Sequence, residues 1–216
     1  LLAELDKLHK VKRIRISSIE PNLLNEGIIE FCHLSNLFMP HYHVPLQSGS
    51  NKILRAMRRR YDRDLYRSRV ELIRSLEPDA CIGADVIVGF PGETNDDFLD
   101  TYNFVKDLDI SYLHVFTFSE RQDTDAINYS NKVPKGKRSE RSKMLHILSD
   151  KKRRAFNERF IGSKREVLYE HSKNRFIYGH SDNYIRVKVD ESTDIINTVK
   201  PTTLHEISEG EINGVI

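Results

Sequence analysis

Cysteine is scarce in this 216-residue chain: Cys32 and Cys81 are too few and too far apart to make a metal centre by themselves, and such sparse use fits a reducing compartment. Both read as small core residues. Long hydrophobic runs are also missing. No stretch approaches the ~20 apolar residues of a membrane span, and nothing reads as a signal segment. Net charge is nearly absent, since 34 Lys and Arg against 32 Asp and Glu leave only +2. Charge alone therefore announces no nucleic-acid partner, and only local basic runs bear on that question. The first residue is not methionine, and Leu1, Leu2, Leu5 and Leu8 carry helical spacing with no cap before them, so the chain reads as one that begins inside an element. What is present is 38% hydrophobic content, enough for the core of a soluble globular chain.

The organising stretch runs from Asp85 to Thr94. Val86 to Val88 is a β-branched apolar run that reads as a buried parallel strand. Gly89-Phe90-Pro91-Gly92 stops it, Thr94 opens a capping box with Asp97, and Phe98, Tyr102, Val105 and Leu108 follow at helical spacing. Pockets of α/β folds lie beyond the carboxyl ends of strands, so a ligand is expected at this turn. The plain alternative is that Gly and Pro serve any strand-to-helix turn.

Three further strand-helix units share the pattern. Val11 to Ser18 alternates as a strand, and Ile19-Glu20-Pro21-Asn22 leads into a helix carrying Leu23, Leu24, Ile28, Phe31 and Leu34. Tyr42 to Leu46 forms a strand, Gln47-Ser48-Gly49-Ser50 a turn, and Asn51 to Met57 a helix; Asp62 or Asp64 caps another helix that ends before Pro78. Tyr112 to Phe118 is the last strand of this series, followed by a polar loop around Arg121, Asp123 and Thr124 and a long helix over about Lys137 to Phe160 that Gly162 ends. Beyond Arg165 the pattern changes to short strands at 166–169, 176–179, 184–189 and 195–199, which reads as a small antiparallel β-barrel. The expected division is an α/β portion over 1–161 and an all-β portion over 162–216. Four strand-helix units do not close a parallel barrel. They make either a small open sheet or the last four units of a (β/α) barrel whose earlier strands lie upstream of Leu1.

Three ordered motifs carry a family resemblance. Arg13-Ile14-Arg15-Ile16-Ser17-Ser18-Ile19-Glu20-Pro21, then His43-Val44-Pro45-Leu46-Gln47-Ser48-Gly49-Ser50 with Met57-Arg58-Arg59-Arg60-Tyr61, then Asp85 to Thr94, resemble the methylthiotransferase branch of the radical S-adenosylmethionine enzymes. The all-β segment is similar to the TRAM domain of that family. His114-Val115-Phe116 and Ser119-Glu120-Arg121 resemble the enzymes that methylthiolate N6-threonylcarbamoyladenosine beside the anticodon of tRNA. Sister branches act on isopentenyladenosine in tRNA or on a ribosomal protein.

The resemblance implies S-adenosylmethionine across the strand tips. Gln47 and Ser48 would lie near the ribose, where an amide and a hydroxyl can bond vicinal hydroxyls, unless the turn is held by its own side chains. Val88, Gly89 and Phe90 would meet the adenine, with Phe116 on its other side or in the barrel core. Ser18 and Glu20 end a strand, and Glu20 would receive the methionine amino group or cap a helix. His41 and His43 share a strand face, but two histidines without a third ligand point to structural roles, and no metal ligand is assigned.

For RNA, Arg58-Arg59-Arg60, Lys151-Lys152-Arg153-Arg154 and above all Tyr184, Arg186 and Lys188 would contact phosphates and stack an unpaired base, although charge runs are usually solvated helix faces. The family's 4Fe-4S clusters need cysteine triplets that this sequence lacks, so no catalytic residue is assigned here and the chain reads as the carboxyl-terminal piece of a longer, cytoplasmic enzyme, inactive alone. Two competing readings are a cluster-free RNA-binding protein and an α/β enzyme that binds a phosphorylated small molecule at Gly89 to Gly92.

Overall fold

A four-stranded parallel sheet in chain order, β1 (Ile14–Ile16), β2 (Phe38–His43), β3 (Cys81–Val88) and β4 (Tyr112–Thr117), forms the first part of the molecule. The computed structural model describes all residues except 9, 121–123, 125–128, 130, 191–193 and 209, so Arg121 and Asp123 of the polar loop lie outside the described residues. Strand order that never reverses places every crossover helix on one side of the sheet, because parallel crossovers share one hand. Tyr42, Val44, Ile82, Ala84, Val86, Val88 and Leu113 accordingly pack in one core with Ile29, Tyr66, Ile73, Phe98, Phe104 and Leu145 of the helices. The alternate residues of the strands face the other way. That second face carries His41, His43, Asp85, Tyr112, His114 and Phe116.

The helices are α1 (Leu2–Leu5), α2 (Glu26–Leu34), α3 (Asn51–Ala56), α4 (Arg63–Leu76), α5 (Asn95–Asp107) and α6 (Lys135–Glu158). Asp62 caps α4 by accepting from the Leu65 N–H at 2.9 Å, and the Thr94–Asp97 capping box of α5 is complete. The start of α2 differs from the sequence reading. Asn25, not the turn at Pro21, supplies the cap by accepting from the Ile28 N–H at 3.0 Å, and Leu23 and Leu24 belong to the preceding turn. The second strand also differs, lying over Phe38–His43 and not Tyr42 to Leu46. Its first half is disguised by Pro40, which sits where the pairing with β1 shifts register and a missing N–H is tolerated.

The remaining strands, β5 (Lys164–Lys173), β6 (Phe176–Ser181), β7 (Arg186–Asp190), β8 (Val199–Ser208) and β9 (Glu211–Val215), close a barrel in the order β5-β6-β7-β9-β8. Two details correct the sequence reading. Tyr184 and Ile185 precede β7, and 195–198 forms a turn that leads into β8. The pairing is not wholly antiparallel, since β7 and β9 run parallel. Val167, Tyr169, Ile177, Val187, Leu204 and Ile212 fill the interior.

The barrel is fastened to the amino-terminal end of the sheet. Arg15 donates to the carbonyls of Ser181 and Asp182 at 2.7 and 2.8 Å, and Arg13 donates to the Glu166 carbonyl at 2.9 Å. The Arg15 guanidinium also lies 5.0 Å from the centre of the Tyr184 ring, and burial lowers its pKa. Removing the guanidinium strands two carbonyls that water reaches poorly, and an unsatisfied buried acceptor costs about 1–3 kcal/mol. Arg15→Met is therefore expected to lower stability by about 1–3 kcal/mol in urea unfolding followed by circular dichroism. An unchanged midpoint would show that the barrel does not depend on this clasp.

Candidate functional site

At the carboxyl ends of the strands, the chain stays knitted to β3 beyond the formal end of β2. Gln47, at φ 68°, donates its N–H to the Asp85 carbonyl at 2.8 Å and accepts from the Ile87 N–H at 2.9 Å. The next three residues are bolted to α5. The Gly49 N–H donates to the Thr101 hydroxyl at 3.0 Å, the Ser48 hydroxyl lies 3.1 Å from the same oxygen, and the Ser50 hydroxyl donates to Asp97 at 2.9 Å. A Cβ on Gly49 would lie 2.7 Å from the Thr101 Cα, so only glycine allows this approach. Ser48 is fully buried, which puts it in the scaffold of the turn and not on an open wall.

Burial alone would raise the Asp97 carboxyl, but hydrogen bonds from Lys52, Thr94 and Ser50 outweigh it and hold the pKa at about 2. The third tip is anchored differently. Glu93 accepts from the Gly89 N–H and from Arg141, each at 2.6 Å, and both ionic side chains are buried. Burial pushes the Glu93 pKa up, while the Gly89 N–H and Arg141 oppose that rise.

These anchors leave a cavity of about 270 Å³ whose lining includes Met57, Arg59, Ile87, Phe90, Phe118 and Tyr129. Phe90 packs edge-on against Phe118 at 5.3 Å and Tyr129 at 6.0 Å. Of the residues singled out from sequence, Phe90 lies in this cavity wall. Val88 points its side chain into the helix-covered core, and Gly89 has its N–H committed to Glu93. Phe116 is 51% exposed and lies outside the cavity lining, Ser18 is exposed, and Glu20 is held by Arg59 at 2.6 Å. Phe118 reads from sequence as the end of the last strand but not as a site residue, although it continues the Tyr112, His114, Phe116 alternation by one more step. Tyr129 sits in a loop and left no periodic signal.

The uncovered face of the sheet carries a second polar cluster. The Tyr112 hydroxyl lies 3.1 Å from His41 Nε2 and 3.3 Å from His43 Nδ1. Asp85 Oδ1 in turn lies 2.8 Å from His43 Nε2 and 3.3 Å from His114 Nδ1. Burial, reinforced by Arg15, depresses the His41 pKa to about 3 and keeps that ring neutral. Burial would raise Asp85, but the bonds and charge from His43 and His114 hold it below the ordinary carboxylate range. Tyr112 lies over β3 because Gly83 has no Cβ to collide with its ring.

Between α6, β4 and the barrel runs a cleft of about 610 Å³ lined in part by Tyr112, His114, Arg153, Arg154, Tyr184 and Arg186. Tyr184, 38% exposed, stacks with His41 at 4.1 Å and with His180 at 4.7 Å. Arg186 pairs with Glu211 at 3.2 Å, and Lys188 is buried over the Phe176 ring at 5.1 Å. Of the three barrel residues proposed for RNA from sequence, Tyr184 and Arg186 border the cleft. The two cysteines are buried in separate cores, and burial raises each thiol to about 12. An iron–sulfur cluster takes thiolates, so Cys32 and Cys81 do not fit one.

Comparison with known proteins follows the same lines. Residues 1–105 match the family model described as Radical SAM superfamily. The chain is 37% identical over 206 residues to the threonylcarbamoyladenosine tRNA methylthiotransferase MtaB of Bacillus subtilis, covering 92% of this chain and 46% of that protein. It is 38% identical over 188 residues to the MtaB of Aquifex aeolicus, covering 87% and 45%. It is 29% identical over 222 residues to the tRNA-2-methylthio-N(6)-dimethylallyladenosine synthase of Ehrlichia chaffeensis, covering 100% and 50%. The chain spans about half the length of the curated relatives it matches. With the superfamily match over residues 1–105 and methylthiotransferase relatives along nearly all its length, the chain is similar to the methylthiotransferases of the Radical SAM superfamily.

Proposed function

We propose that this chain forms the cofactor wall and the RNA-holding module of a tRNA methylthiotransferase that converts N6-threonylcarbamoyladenosine, in the anticodon loop, to its 2-methylthio derivative. The observation that carries the reading is the strand-tip cavity, where Ile87, Phe90, Phe118 and Tyr129 offer an apolar, aromatic surface to a flat heterocycle. It sits at the carboxyl ends of an open parallel sheet, where such folds bind cofactors. Identities of 34–38% to threonylcarbamoyladenosine enzymes, against 29–34% to dimethylallyladenosine enzymes, lean toward the first substrate.

In this reading 1–161 is the carboxyl-terminal portion of the radical SAM barrel and 162–216 a TRAM-like barrel. S-adenosylmethionine, which supplies the family's methyl-donating and radical-generating chemistry when bound, would put its adenine against Phe90 and Phe118. The Gly89 carbonyl would receive it, since the Gly89 N–H holds Glu93. Arg59 and Glu20 form an ion pair that the cofactor's amino and carboxylate groups would exchange with. Ligands for 4Fe-4S clusters would come from residues outside these 216, since Cys32 and Cys81 do not fit. Arg153, Arg154 and Arg186 would hold RNA phosphates along the cleft, with the exposed edge of Tyr184 beside a base. A tRNA substrate would suit a cytoplasmic protein.

Deleting the gene tests this reading. Nucleoside mass spectrometry of the deletion strain should show N6-threonylcarbamoyladenosine accumulating without its methylthio group. Loss of methylthio from isopentenyladenosine alone would move the protein to the sister branch, and an unchanged nucleoside profile would overturn both.

A further inference from the structure

We propose that His43, Asp85 and His114 form a binding site for one divalent transition-metal ion on the uncovered face of the parallel sheet. The three residues come from three adjacent strand segments, and Asp85 and His114 are direct partners in the β3–β4 register. One donor atom from each, His43 Nε2, Asp85 Oδ1 and His114 Nδ1, lies within 4.8 Å of the others. The two separations, 2.8 Å and 3.3 Å, lie at or below the roughly 3.4 Å that ligands keep around a tetrahedral ion with bonds near 2.1 Å. Small side-chain shifts would admit the ion. Two imidazoles and one carboxylate suit Zn²⁺, Co²⁺ or Fe²⁺ better than Mg²⁺ or Ca²⁺, which take mostly oxygen.

The surroundings match those of a ligating histidine. Its second nitrogen normally meets a hydrogen-bond partner that fixes the ring. The Tyr112 hydroxyl occupies that place, 3.3 Å from His43 Nδ1, and can accept the Nδ1–H while donating its own proton to His41 Nε2 at 3.1 Å. This direction of bonding frees His43 Nε2 for the metal. On the other side, the His114 side chain is 52% exposed and lines the 610 Å³ cleft, which gives an ion an entry path and leaves a coordination position open. The donor set contains no thiolate, so it suits a single metal ion and not an iron–sulfur cluster, and it does not depend on the function proposed above.

The test uses the 216-residue chain, stripped with a chelator and titrated with Co²⁺ while its visible absorption is recorded. The expected result is one Co²⁺ per chain, displaced by Zn²⁺. His114→Ala and Asp85→Asn should each weaken binding at least tenfold, whereas His146→Ala, at an exposed position of α6, should leave it unchanged. His114 is half-exposed, so its truncation spares the fold, and the circular dichroism spectrum checks this. His114→Ala decides the question even where Asp85→Asn fails to fold. Absence of one-to-one binding by the wild-type chain, or equal affinity in His114→Ala, would overturn the proposal and leave the cluster as a hydrogen-bonded chain.

Discussion

Replacing Arg141 with methionine is expected to destabilise the chain by about 3–5 kcal/mol, the usual cost of leaving one charge of a buried ion pair without its partner. Methionine keeps much of the volume, so the loss is electrostatic. Glu93 is only 1% exposed at its side chain and would retain a single donor, the Gly89 N–H. The sign of the pH dependence follows from the direction of its shift. Its folded-state pKa already lies above the unfolded value, chiefly through burial, so the folded state binds this proton more readily. That contribution favours folding in acid and is lost as pH rises through the folded pKa. Without Arg141 the rise grows. The deficit relative to wild type should therefore be small near pH 4 and full at neutral pH. Urea unfolding at the two pH values measures it, and a deficit independent of pH would show that Glu93 does not report the lost partner. Loosening Glu93 also releases the turn that frames the strand-tip cavity, so if the proposed function holds, the same variant of the whole protein should bind S-adenosylmethionine more weakly.

The second large effect is expected from Gly49→Ala, at about 3 kcal/mol, the upper part of the range for overpacking a tight interior. The new methyl would meet the Thr101 Cα at 2.7 Å and the Phe104 Cβ at 3.0 Å. The nearest obstacle is backbone inside α5 and cannot rotate away. Separating the turn from the helix would also stretch the bonds of Ser48, Gly49 and Ser50 to Thr101 and Asp97. Gly136, whose added Cβ would meet nothing within 4 Å, provides the control, since Gly136→Ala should be neutral or slightly stabilising. Thermal unfolding of the two variants side by side would settle the matter, and equal melting temperatures would refute the packing argument.

These two sites show where the sequence was legible. Helix starts such as Asp62 and the Thr94–Asp97 box were readable because each depends on bonds within four residues. Alternation in Tyr112 to Phe118 and the apolar run Val86 to Val88 likewise announced strands whose pattern is local. The role of Ser48-Gly49-Ser50 was not readable, because its partners Thr101 and Asp97 lie about fifty residues away and no spacing within the turn encodes them. The same holds for the cluster on the uncovered face. His41 and His43 were visible as a pair, but Asp85 and His114 join them only through strand register, a property of the folded sheet. In the barrel, β9 and most of β8 went unnoticed because Pro201 and the mixed composition of 200–215 mask their alternation.

Residues 211–215 close the barrel from within, since β9 lies between β7 and β8 and pairs with both. A copy cut before residue 211 would leave an unzipped seam with two unpaired strand edges, the kind of surface that templates aggregation.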